Sequence, residues 1–244
     1  AALLSVEGLT HKYALPKRAP WQPRRHKIAL KDVSLEIARG ENVGLVGESG
    51  SGKSTLARAV LGLEPVQAGR ITLDGEAVAG PHGTAFETRR QMQMVFQDPY
   101  GSFNPRHTVE RLVAEPLHLL GANRPDREQR RVKVETVLEQ VGLAPSDAGK
   151  YIHEFSGGQR QRIAIARALI VEPSLIVLDE AVSALDVSIR AQILDLLAGI
   201  SDRLGVSYLF ISHDLHVVRA VTDRVYVLRD GEVVESGATN AVFD

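Results

Sequence analysis

Nine residues, Gly47 to Thr55 (GESGSGKST), constrain this chain more than any other stretch of it. Gly47, four intervening residues, then Gly52, Lys53 and Ser54 match the glycine-rich phosphate-loop pattern. The setting gives the pattern its meaning. The apolar run NVGLVG before it predicts a buried strand, and KSTLARAVLGL after it predicts a helix that stops near Gly62 and Pro65. In such a loop the glycines let backbone N–H groups curl around the β- and γ-phosphates of a nucleotide. Lys53 supplies a point charge, and the Ser54 hydroxyl ligands Mg²⁺. Gly47, Glu48, Ser49, Gly50, Ser51, Gly52, Lys53, Ser54 and Thr55 are therefore the candidate nucleotide-binding residues.

A phosphate loop needs a second acid for its metal ion. LIVLDE, Leu175 to Glu180, is an apolar strand that ends on two carboxylates. Asp179, at the end of that strand, is placed to hold the Mg²⁺ shell. Glu180, one residue on, is placed to polarise a water for attack on the γ-phosphate.

Elsewhere LLSVEGL, IALKDVSLEI and RITLDGE carry β-branched residues between turns and predict further strands. Between the first two lies PKRAPWQPRRHK, proline-rich, basic and without periodicity. It predicts an exposed loop, either a solvated insertion or a contact for a partner or a lipid headgroup. From about Asp98 the texture changes. TVERLVAEPLHLL and REQRRVKVETVLEQVGL place apolar residues at helical spacing, with Val134, Val137, Leu138 and Val141 on one face. The charges from Arg127 to Lys133 are interspersed with Glu128 and Glu135, which reads as a solvated helix face. After Gly158 come a helix (QRQRIAIARALI), the strand SLIVLDE and a long helix (VSIRAQILDLLAGISDRLG) with Ile189, Ile193, Leu196, Leu197, Ile200 and Leu204 on one stripe. The strand VSYLFIS, a short helix and a hairpin in RVYVLRDGEVVE complete the chain. Strands and helices in alternation predict an α/β fold with a mostly parallel sheet and helices on both faces.

Composition narrows the class of partner. The 244 residues carry a formal net charge of −1, so no overall basic bias points to nucleic acid or anionic lipid as an obligatory partner. The chain has no cysteine, which excludes disulfides and thiolate zinc sites within it. No apolar run approaches the roughly 18 residues of a bilayer span, and AALLSVEGLT lacks the basic, then apolar, pattern of a signal peptide.

A second phosphate site is written into EFSGGQRQR, Glu154 to Arg162. A glycine-bearing turn opens there onto a helix, with the Ser156 hydroxyl and unspent backbone amides facing outward. One chain thus holds two places suited to phosphate.

GESGSGKST, FSGGQ, LIVLDE, SALD and His213 in ISHD stand in the order and spacing of the ATP-binding cassette (ABC) ATPases, and the resemblance covers essentially the whole chain. It implies a P-loop NTPase fold over residues 1–244. Residues 1–97 and 159–244 would form a RecA-like core with an antiparallel β-subdomain, and residues 98–158 a helical subdomain ending at the signature motif. It also implies ATP and Mg²⁺ as cofactors. In the family the signature loop, here Ser156, Gly157, Gly158 and Gln159, reaches the γ-phosphate of ATP held by a second subunit. Tyr13 in THKYA falls where relatives offer an aromatic ring to the adenine. Gln97 in MVFQDPYGSFNPR resembles the glutamine that reaches Mg²⁺ and the attacking water. His213 resembles the histidine that contacts the γ-phosphate, and Asp186 in SALD would lie at the dimer seam. With Glu180, His213, Gln97 and Lys53 as catalytic residues and Ser54, Gln97 and Asp179 as metal ligands, the resemblance implies an active ATPase. Phe155 stands where many relatives have leucine, and Ala181 where proline is commoner; neither change removes a catalytic group.

FQDPYGSFNPR, DEAVSALDVSIRAQILDLL and the insertion after Tyr13 resemble more narrowly the ATPase subunits of bacterial peptide and nickel importers. Such a subunit is expected at the cytoplasmic face of the inner membrane. Its expected partners are two transmembrane permease subunits, a sibling ATPase or a second copy of itself, and, indirectly, a substrate-binding protein. Relatives of this type continue with a C-terminal segment beyond the point matching Asp244. The alternative is a non-transport cassette ATPase acting on nucleic acid or the ribosome. That class resembles tandem cassettes, coiled-coil insertions or zinc modules, none of which this sequence contains.

Overall fold

The computed structural model describes residues 1–78, 84–96 and 100–243, and the chain divides into two compact units. The first comprises residues 1–84 and 211–244, the second residues 85–210.

The first unit opens with two long strands, β1 (Ala2–Ala14) and β2 (His26–Ala38), paired antiparallel. From Val33 to Ile37 of β2 buried and exposed residues alternate, whereas register shifts interrupt the pattern in β1, which buries Leu3, Leu4, Val6 and Leu9. β3 (Asn42–Val46) reads differently: Val43 to Val46 is buried without interruption, as in a strand covered on both faces. The helix α1 (Lys53–Val60) follows, then β4 (Ala68–Leu73) and the short β5 (Glu76–Ala77). These complete a four-stranded antiparallel sheet in the order β2-β1-β4-β5.

In the second unit α2 (Phe86–Gln91) leads directly into β6 (Met92–Phe96). A helical stretch comes next: α3 (Val109–Ala114), a 3-10 segment over Glu115–Asn123, and α4 (Arg127–Gln140). The sequence TVERLVAEPLHLL predicts one helical run, but regular α-helix stops at Ala114, two residues before Pro116, which has no N–H to continue the ladder. α4 starts on a reciprocal cap. The Asp126 carboxylate accepts from Gln129 N at 2.9 Å, and Gln129 Oε1 accepts from Asp126 N at 3.0 Å. Val134, Val137, Leu138 and Val141 are all buried. Then come α5 (Gly157–Leu169), β7 (Leu175–Asp179), α6 (Val187–Leu204) and β8 (Ser207–Ser212), the last two residues of β8 belonging to the first unit. β7 lies between β6 and β8, and β6 runs parallel to it with Phe96 opposite Asp179. On α6 the buried line is narrower than the expected stripe. Ile193, Leu197 and Ile200 are buried, Ile189 and Leu196 half-buried, and Leu204, the last helical residue, is exposed. Tyr208 of β8 is fully buried and donates to the Leu197 carbonyl at 2.6 Å, and its burial pushes the phenol up from its ordinary value.

The chain then returns to the first unit through α7 (Leu215–Val221), β9 (Arg224–Arg229), β10 (Glu232–Ala238) and α8 (Thr239–Val242). β9 pairs with β3 in parallel and with β10 in an antiparallel hairpin. Asp230 (φ 50°) and Gly231 (φ 79°) make the hairpin's two-residue turn, the left-handed pair that Asp-Gly favours. Among the described residues no helix is long and apolar enough to cross a membrane.

The start of α5 is packed unusually close to α6. A Cβ added at Gly158 would lie 2.6 Å from Ile189 Cγ2, whereas one at Gly157 would meet only Leu185 Cδ2, at 3.9 Å. Overpacking of this kind costs about 1–3 kcal/mol, more than the roughly 1 kcal/mol that alanine gains over glycine in a helix interior. Gly158→Ala is therefore expected to lower stability in a urea titration, and Gly157→Ala to leave it unchanged or raise it slightly. Equal midpoints for the two variants would contradict the packing account.

Candidate active site

The phosphate loop joins β3 to α1, and glycine is required at both of its ends. A Cβ at Gly47 would collide with the Leu228 carbonyl and come within 2.6 Å of Ser51 Oγ. Gly52, which caps α1, sits at φ 105°, and a Cβ there would lie 2.7 Å from the Ala29 carbonyl. Glu48, Ser49 and Gly50 form the exposed crown. Ser51 N donates to Glu48 O at 3.1 Å, and Gly231 N donates to Ser51 O at 2.9 Å. Gly231 O in turn accepts from Lys31 N at 2.8 Å, so the β9–β10 turn braces the loop against β2. Lys53 is buried, and its ammonium donates to the carbonyls of Gly47 and, at 3.2 Å, Glu48. The Ser51 hydroxyl is buried with no hydrogen-bond partner among the described residues. A tight turn of amides, a lysine ammonium at its rim and an unspent hydroxyl inside it suit a polyphosphate.

Tyr13, near the end of β1, is half-buried beside this loop. Its hydroxyl lies 3.1 Å from Thr55 Oγ1 and accepts from Arg58 Nη2 at 3.2 Å, and its ring meets the His11 ring edge-on at 4.6 Å. Arg58 is held in turn by Glu64, at 3.1 Å. Thr55 and Arg58 both belong to α1, so Tyr13 is fixed to the helix that Lys53 and Ser54 begin. Ser54 is exposed on its first turn. His213, also exposed, follows β8 directly. Asp214, next to it, caps α7 by accepting from His216 N at 2.9 Å and Val217 N at 3.4 Å, and Ser212 Oγ accepts from Asp214 N at 3.0 Å. The histidine is thereby set on a stiff strand-to-helix corner.

The second unit carries the acids and the signature. Leu175 to Leu178 are buried, and Asp179 and Glu180 emerge half-buried at the end of β7. Glu180 adopts φ 53°, a left-handed conformation uncommon for a non-glycine residue. Its carbonyl accepts from Ser183 Oγ at 2.9 Å and Ser183 N at 3.2 Å, which holds that turn. The Ser54 hydroxyl and the Asp179 carboxylate are hard oxygen donors of the type that Mg²⁺ prefers. Gln97, which follows Phe96, lies outside the described residues.

Ser156 is the N-cap of α5. Its Oγ accepts from Gln159 N at 3.3 Å, while Gln159 Oε1 accepts from Ser156 N at 3.0 Å. Ser156, Gly157 and Gln159 are exposed, and Gly158 is spent on the approach to Ile189. Phe155 is buried, as the apolar residue expected before the cap. Asp186 caps α6 with no side-chain cap bond and is exposed.

Three supporting residues escape a reading of motifs. Arg58 orients Tyr13 from 45 residues away, and only its place one turn after Ser54 hints at it. Gly231 braces the phosphate loop; the Asp-Gly pair signals the turn but not what the turn touches. Arg167 of α5 stacks on Phe103, 4.5 Å from the ring centre, and donates to Ser102 Oγ at 3.2 Å. Burial pushes its guanidinium down from the usual value, against the raising effect of Glu115. Arg167 thus pins the signature helix to the segment that follows Gln97.

Comparison with known proteins agrees with this geometry. The sequence model of the ABC transporter family matches residues 30–183. A protein of Brucella abortus named as a peptide import ATP-binding protein is 51% identical over 218 residues, covering 88% of this chain and 64% of that protein. The glutathione import ATP-binding protein GsiA of Salmonella paratyphi A is 45% identical over 243 residues, covering 99% of this chain and 39% of that protein. The chain spans 57 to 64% of the length of the first Brucella relatives it matches. Among solved structures, cbiO1 of Clostridium perfringens, part of an ABC transporter complex, superposes with a TM-score of 0.84 at 29% identity, covering 99% of this chain and 90% of that one. A dimeric post-hydrolysis state of the ATP-binding cassette MJ0796, bound to ADP and Pi, gives 0.81 at 29% identity, covering 97% and 98%. These neighbours share the P-loop NTPase fold of mixed α/β type, and with the family match over residues 30–183 they make this chain a member of the ABC transporter family of ATP-binding proteins.

Proposed function

We propose that the chain binds and hydrolyses ATP as the energising subunit of a bacterial ABC importer for peptides. The observation that carries the reading is the pair of phosphate-directed elements, a glycine-walled loop with Lys53 at its rim and a capped, exposed helix start at Ser156. The first would hold the β- and γ-phosphates of ATP, with Tyr13 against the adenine. Ser54, Asp179 and Gln97 would hold Mg²⁺, which would supply charge neutralisation on the phosphates when bound. Glu180 would polarise the attacking water, and Gln97 and His213 are the residues that the family resemblance assigns to the metal and the γ-phosphate. The second element would close on ATP held by a second protomer, through the Ser156 hydroxyl and the amides of Gly157 and Gly158, with Gln159 holding the cap in shape. Nucleotide then joins the two chains, and its hydrolysis releases them.

The importer role and its cargo rest on similarity to proteins named for peptide and glutathione import, which favours peptides over nickel complexes. The partners would be two permease subunits, a sibling ATPase or a second copy of this chain, and a substrate-binding protein upstream. The subunit would sit peripherally at the cytoplasmic membrane face.

The chemistry separates binding from turnover. Lys53→Ala removes the point charge from the phosphate loop and is expected to weaken ATP binding and cut hydrolysis on the order of 10²–10³-fold. Glu180→Gln keeps the shape and loses the base, so hydrolysis should fall on the order of 10²–10⁴-fold while ATP still binds. The Gln variant should then accumulate as an ATP-dependent dimer in light scattering. A Glu180→Gln protein that hydrolyses at the native rate would exclude Glu180 as the base, and one that stays monomeric with ATP bound would contradict the ATP-joined dimer.

A further inference from the structure

The connection between β1 and β2 lies outside the motifs assigned to nucleotide, and its backbone is held by specific hydrogen bonds. Ala14 pairs with His26, Leu15 N donates to Arg25 O at 2.7 Å, and Gln22 N donates to Ala19 O at 3.1 Å. The last bond closes a turn with Pro20 and Trp21 at its centre, and proline at the second turn position presets the backbone for it. Pro16 and Pro23 stiffen the two legs. The result is a defined hairpin with a tryptophan at its tip, 84% exposed.

The charge of this hairpin is as marked as its shape. From Leu9 to Lys31 the sequence has seven Lys or Arg and no Asp or Glu, in a chain whose formal net charge is −1. Lys17, Arg18, Arg24, Arg25 and Lys27 are all exposed, and none pairs with a carboxylate among the described residues. An unpaired cation cluster around an exposed indole has a specific physical match. Tryptophan partitions to the headgroup level of a bilayer, and Lys and Arg are drawn to the negative surface potential of anionic lipid.

We propose that this hairpin docks on an anionic bilayer surface, Trp21 entering the headgroup layer while Lys17, Arg18, Arg24 and Arg25 meet lipid phosphates. Nucleic acid would attract the same cations, but one indole among three prolines offers no series of rings on which successive bases stack. The contact is direct, independent of any permease, and does not rest on the nucleotide reading.

Trp21 is the only tryptophan in the chain, so its fluorescence reports the contact without labelling. Vesicles of phosphatidylcholine with phosphatidylglycerol should shift its emission to the blue, and brominated lipids should quench it. Pure phosphatidylcholine should do neither, and salt near 0.5 M should reverse the shift because a Debye length of only a few Å screens the attraction. The pair Arg24→Gln and Arg25→Gln should lower partitioning onto anionic vesicles roughly 30-fold, with ATP turnover in solution unchanged. No shift with anionic vesicles, undiminished partitioning of the double variant, or a shift with duplex DNA but not with vesicles would each overturn the proposal. ATP turnover measured on the same preparation keeps the two readings apart: active protein that ignores vesicles rejects the hairpin contact and leaves the ATPase reading standing.

Discussion

A polyphosphate gives up strong hydration when it enters a protein, and only donors already aimed at it can replace that water. Backbone N–H groups at a tight turn or a helix start are such donors, because nothing inside the helix accepts from them. This chain has two, the Gly47–Lys53 loop in one compact unit and the Ser156–Gln159 cap in the other. Both are held rigid by the same means. A glycine stands where a Cβ would collide, and a short network of hydrogen bonds fixes the turn. The fold can be understood as the scaffold that keeps these two turns in shape.

Much of this was legible in the sequence because the signals are local. The phosphate loop, the Ser156 cap and the Asp-Gly hairpin each need only a few consecutive residues of the right type, and each occurs where the spacing predicts it. The buried face of α4 was equally plain, since Val134, Val137, Leu138 and Val141 repeat at the helical period. What was not legible depends on distant partners. Met92–Phe96 shows no clear alternation and becomes a strand through its pairing with β7. The Arg58–Tyr13 bond and the Gly231 brace join residues far apart in sequence, and no periodicity announces them. Nor could a motif assign different tasks to adjacent glycines. Gly158 is required by Ile189, whereas Gly157 has room around it and faces outward.

That last distinction bears on function. If both signature glycines served only the packing of α5, the cap would be a structural detail of one subunit. Because Ser156, Gly157 and Gln159 are exposed and only Gly158 is spent internally, the surface they form is available to a ligand that the chain does not itself enclose. Arg167 ties the same helix to Ser102 and Phe103, so the helix that begins at the cap is anchored at its far end as well.

The central claim is that each hydrolytic site takes its phosphate loop from one protomer and its signature from another, and complementation between two inactive chains tests it. Lys53→Ala destroys the loop and spares the signature, while Ser156→Arg does the reverse, so each alone should be inactive. Mixed, they can form one site whose two halves are both native, and the account predicts ATP hydrolysis well above the sum of the separate preparations. If the mixture, with mixed dimers demonstrated by mass, hydrolyses no more than that sum, the composite site does not exist and the account is wrong.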